Sequence, residues 1–71
     1  MVIDIRLNIK NVLERKGMSQ KDLAEKTGLR TATISEMVNN RRSAINKEHL
    51  IAIMNALQVY DINEFIEVVE K

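Results

Sequence analysis

The side chains able to do covalent or metal chemistry are few. The 71-residue chain has no Cys and one His, His49, so neither a thiolate nucleophile nor a zinc set of the usual ligands can be assembled. No Ser, His and Asp fall into a nucleophile–base pattern, and no Gly-rich loop cradles a phosphate. Glu64, Glu67 and Glu70 have the spacing of a solvated face rather than of a metal or acid–base cluster. The sequence therefore reads as a non-enzyme without metal, cofactor or small-molecule ligand. What remains is charge, and its placement is uneven. Residues 1–47 carry 10 Lys/Arg and 5 Asp/Glu (+5), residues 48–71 carry 1 and 5 (−4), and the total is +1. One face is thus suited to an anion while another is solvated or meets protein.

The elements that must position these charges are helical. Ile9, Val12 and Leu13 recur at i, i+3 and i+4, with Lys10, Asn11, Glu14 and Arg15 opposite, an amphipathic helix over 8–16. Asn8 is suited to cap its start, and Gly17 to close it in the left-handed conformation. Ser19 stands three residues before Asp22, an approximate capping box, and opens a short second helix that runs to Lys26 or Thr27. Gly28 offers a tight turn. A third helix follows with Ile34, Met37 and Val38 on its apolar side and ends at Asn39 and Asn40, since Asn is the usual substitute for Gly at left-handed positions.

Arg41, Arg42 and Ser43 form a basic loop, and a fourth helix capped by Asn46 is marked by Leu50, Ile51, Ile53, Met54 and Leu57. Asp61 is placed to cap a last short helix from Ile62. At the two ends, Val2, Ile3, Ile5 and Leu7 alternate with polar residues as in a short strand, and the β-branched Ile66, Val68 and Val69 suit an extended tail. Such end segments can pair with each other or across a dimer. The fold class expected is all-α, a compact bundle of about five helices in a single domain over 1–71, with room for short β segments at its ends. No apolar run approaches the ~18 residues of a membrane span and no leader peptide is recognisable, so a cytoplasmic protein is expected. At this length a core typically nets only about 3–5 kcal/mol, which makes association between chains the available reinforcement.

The second and third helices hold the most specific pattern. From Ser19 to Asn39 the chain reads S-Q-K-D-L-A-E-K-T-G-L-R-T-A-T-I-S-E-M-V-N, two short helices joined by a Gly-containing turn. Ala24 is small where the two helices cross, Gly28 permits positive φ, and Ile34 and Met37 seal the crossing. That is a helix-turn-helix.

With this motif in place the chain resembles the Cro and repressor type of helix-turn-helix protein, the XRE family. The likeness extends over N-I-K-N-V-L-E-R-K-G-M-S-Q-K-D-L-A-E-K-T-G at 8–28, T-I-S-E-M-V-N-N at 33–40 and L-I-A-I-M-N-A-L at 50–57. The resemblance implies a lambda-repressor-like fold and double-stranded DNA as the partner, with the third helix in the major groove. Carried onto this chain, it implies base contacts from Arg30, Thr31, Ala32, Ser35 and Glu36. Backbone contacts are implied for Gln20, Lys21, Lys10, Asn39, Arg41, Arg42 and Ser43.

Two positions depart from the family pattern. Arg30 stands where many relatives carry Ser or Thr, which moves the cap to Thr31 or removes it. Asn40 replaces a common Gly, and the turn is expected to survive. The function implied is a sequence-specific transcriptional regulator, a repressor binding an inverted-repeat operator as a homodimer; the apolar residues of the C-terminal third exceed what a short last helix can bury alone, which places the dimer contact there. The alternative is an antitoxin or antirepressor-like module that uses the same fold to bind protein.

Overall fold

A computed structural model describes residues 1–71. The element order is β1 (Ile3–Leu7), α1 (Ile9–Lys16), α2 (Gln20–Thr27), α3 (Thr31–Val38), α4 (Lys47–Leu57), a single 3-10 turn (Ile62–Glu64) and β2 (Ile66–Glu70). The bundle thus has four α-helices where about five were expected. The segment at Ile62 makes only one turn, in which Asp61 accepts the Asn63 N–H at 3.0 Å. Phe65 then drops fully into the core, and the β-branched residues after it leave as a strand.

That strand pairs within the chain. β2 runs antiparallel to β1 with Ile3 opposite Glu70, Ile5 opposite Val68 and Leu7 opposite Ile66. Leu7, Ile66 and Phe65 anchor the inner end of this two-stranded ribbon in the core, whereas Ile3, Ile5 and Val68 are more than half exposed at its outer end. Asn8 does not cap α1 with its side chain. Its backbone N–H instead donates to the Phe65 carbonyl at 2.7 Å, which makes Asn8 the joint between ribbon and helix.

The core is wholly apolar: 13 buried hydrophobic residues and no buried polar one. Ile9, Val12, Leu23, Ile34, Ile53 and Phe65 are the largest fully buried side chains, one or two from each helix and one from the C-terminal turn. Burying each such side chain contributes about 1.5–3 kcal/mol. No helix is long and apolar enough to cross a membrane.

Candidate nucleic-acid interface

The interface is built on two helix joints. At the first, Asp22 N–H donates to Ser19 Oγ at 3.0 Å and Ser19 N–H returns to Asp22 Oδ2 at 3.3 Å, completing the capping box. The Ser19 N–H, then the Ser19 hydroxyl, then Lys21 and Lys26 hold the Asp22 carboxyl below its ordinary range. Two of the otherwise orphaned amides at the helix start are thereby satisfied. Gln20 and Lys21 follow at once and are exposed, as is Lys10 on α1.

At the second joint Gly28 takes φ 75°, and Thr27 bridges the turn. Its Oγ1 donates to the Leu23 carbonyl at 2.8 Å and accepts the Leu29 N–H at 3.2 Å. Ala24 on α2 and Ile34 and Met37 on α3 are buried in one hydrophobic cluster. Because Ile34, Met37 and Val38 point inward, α3 presents the opposite stripe to solvent. Arg30, Thr31, Ala32 and Asn39 are exposed, and Ser35 and Glu36 lie half-buried at its flanks. Of the two outcomes left open by Arg30, the cap is removed: α3 begins at Thr31, Arg30 sits at the capping position, and no side chain bonds the first turn. The first amides of α3 therefore have no side-chain acceptor, and they point with the helix dipole in the direction an anion favours.

The loop after α3 joins the same surface. Arg41, Arg42 and Ser43 are exposed, and with Thr33 and Glu36 of α3 and Asn39 just after it they line an open groove of about 820 Å³ whose other wall is β1. Within it, Arg42 Nε donates to Glu36 Oε2. An acid expected at base edges and an arginine expected at phosphates are thus one pair, so the Glu36 carboxylate is not an isolated negative charge. The Arg42 fork keeps further N–H donors. Asn39 Nδ2 donates to the Ser35 carbonyl at 2.9 Å and to Ser35 Oγ at 3.2 Å, bracing the last turn of α3. Gln20, Lys21, Lys10 and the Arg30–Ala32 segment do not line this groove.

Sequence reasoning missed one further contact. Asn40, at φ 54°, accepts the Leu7 N–H at 2.7 Å on Oδ1 and donates Nδ2 to the Leu7 carbonyl at 3.1 Å. The left-handed conformation of Asn40 is the one its residue type predicts. A partner 33 positions away leaves no local signal.

Two short helices packed together through a Gly-containing turn, with the outer face of the second beside a cationic loop, define a helix-turn-helix DNA-binding domain. The chain belongs to the family described as the Cro/C1-type HTH DNA-binding domain, whose model matches residues 8–71. Among solved structures it is similar to the wild-type Restriction-Modification Controller Protein C.Esp1396I and to a tyrosine-to-alanine mutant of that protein. Each is 38% identical, with a TM-score of 0.69 over 79% of this chain and 71% of theirs. No curated protein matches it. The likeness to the controller protein leaves about a fifth of this chain unmatched.

Proposed function

We propose that the protein is a sequence-specific transcription regulator, which represses by occupying an inverted-repeat operator as a homodimer. The observation that carries the proposal is the exposed stripe of α3, Arg30 to Asn39, continuous with the Arg41–Ser43 loop. A helix of eight residues, about 12 Å long, fits within a major groove about 12 Å wide. In that position Arg30 is the bidentate donor to guanine, and the Thr31 and Ala32 methyl groups contact a thymine methyl. Glu36 accepts from cytosine N4, and the Ser35 hydroxyl bonds whichever base edge lies nearest. Gln20, Lys21, Lys10, Asn39, Arg41, Arg42 and Ser43 supply the contacts to phosphate.

The dimer is assigned to the C-terminal third. Pairing of β2 with β1 uses part of the apolar surface there, yet Tyr60, Ile62 and Val68 remain 69%, 44% and 64% exposed. Regulation rather than bare DNA binding is supported by the similarity to a controller protein.

Selection from random duplexes tests the whole reading. The expected product is a palindromic motif with half-site centres about 10 bp apart. Absence of any enriched motif would overturn the proposal and favour a protein partner.

A further inference from the structure

The outer edge of β1 is met by a side chain instead of a strand. In the ribbon, Val2 accepts from Lys71 N–H at 2.8 Å and Asn8 donates to Phe65, so the even-numbered residues of β1 direct their backbone groups toward β2. By the alternation of an antiparallel pair, Leu7 directs its N–H and C=O the other way. Both are taken by the amide of Asn40, acceptor to donor and donor to acceptor, as a third strand would take them. Leu7 is a core residue and Asn40 is half-buried, so the contact joins the hydrophobic interior to the point where α3 stops.

That point is also where the cationic loop starts. The Arg41 N–H donates back to the Glu36 carbonyl at 2.9 Å, and at the far end Asn46 Oδ1 caps α4 through the His49 N–H at 3.1 Å. Between these pins the loop has no helix or strand, and residues 41–46 are exposed. Glycine would adopt the left-handed turn at position 40 with less strain, but it brings no side chain. Asparagine tolerates the turn and also carries a donor and an acceptor side by side; aspartate, when ionised, carries acceptors only.

We infer that Asn40 is a positioning residue for DNA binding: by clasping the Leu7 peptide groups it fixes the direction in which Arg41, Arg42 and Ser43 leave the recognition helix. This rests on the DNA-binding role of that loop proposed above. Asn40 itself need touch no DNA.

The test compares the parent chain with Asn40→Gly and Asn40→Asp on the duplex recovered by selection. Affinity is titrated across salt, Leu7 amide exchange is followed by NMR in the free protein, and helix content by circular dichroism. In Asn40→Gly the helix content should be kept and Leu7 exchange should accelerate. Affinity should fall about tenfold, with a salt slope shallower by about one phosphate contact. The preferred bases should not change, because Arg30 to Glu36 stay in place. Asn40→Asp should keep the Leu7 amide protected but lose the bond to its carbonyl, and its weaker binding should persist at high salt, where the added charge is screened.

Parent-level affinity and slope in a Gly variant whose Leu7 amide has opened would overturn the inference, as would a Leu7 amide that stays slow without the Asn40 side chain. If Asn40→Gly does not fold, parent-level binding by Asn40→Asp at high salt overturns it equally. Failure of the parent chain to enrich any duplex refutes the regulator proposal instead. The two failures are distinct, because one is seen in the parent and the other only in a variant.

Discussion

Glu36 shows how a single contact changes the expected behaviour of a site. Alone, a carboxylate on a DNA-facing helix is repelled by phosphate. Paired with Arg42, it becomes a nearly neutral acceptor whose orientation is set by the guanidinium. Both groups are partly exposed, so the pair contributes little to stability, and in the binding mode proposed above its effect would fall on recognition. Arg42→Ala should therefore alter base preference at the pair that Glu36 reads, and the double variant with Glu36→Gln should be non-additive in binding free energy. Additive losses with an unchanged motif would make Arg42 a plain phosphate contact. Arg41→Ala, by comparison, should weaken binding to all duplexes and reduce the salt slope by about one unit. Arg30→Ala should cost about 1–3 kcal/mol on the selected operator and relax one base pair; an unaltered motif in a repeated selection would show that Arg30 does not read bases. None of the Glu36–Arg42 pairing was legible in the sequence. Six positions separate the two residues across a helix end, where the chain direction depends on the turn at Asn40.

At the level of elements, the sequence was most readable where a local rule decides the outcome. Ser19 and Asp22 make the capping box their spacing suggests, Gly17 and Gly28 take the left-handed turns, and α1 to α4 follow the periodicity of their apolar residues. Reading failed where a distant partner competes. The N–H of Asn8 goes to Phe65, and the expected fifth helix is cut to a single 3-10 turn at Ile62–Glu64, after which Phe65 enters the core and the tail pairs with β1. The capping box gives a direct check. Ser19→Ala should destabilise the domain by about 1 kcal/mol, lowering the melting temperature by roughly 4–8 °C. Since the Asp22 carboxyl is held below its ordinary value of 3.8, the folded state binds its proton less readily than the unfolded chain does. Its stabilisation is present above that ordinary value and is lost as pH falls through the depressed one. Melting temperatures measured from near neutral pH down into the acid range should show a smaller acid-side drop in Asp22→Asn than in the parent; identical profiles would mean that Asp22 gains nothing from Ser19.

The whole molecule measures 39 × 21 × 19 Å and carries one helix-turn-helix. On the proposed operator, whose half-sites lie one helical turn or about 34 Å apart, each half-site would take its own copy. If the exposed Tyr60, Ile62 and Val68 join those copies, Tyr60→Glu and Val68→Glu should weaken binding to a full palindrome while leaving affinity for an isolated half-site near that of the parent. Size-exclusion chromatography with and without operator checks the same point, and a particle that is monomeric in both conditions would refute the dimer. Which partner the tail takes could not be read from the sequence, because its β-branched residues suit pairing within the chain as well as across a dimer; β1 takes it.

The ribbon has one more consequence, for anyone who handles the protein. With the Lys71 N–H bonded to the Val2 carbonyl, anything joined before residue 2 and anything joined after residue 71 departs from a single corner of the domain. A fluorophore and a quencher attached at these two positions would sit within contact distance while the fold holds. They would separate when it melts, turning the two extremities of the polypeptide into a built-in reporter of folding.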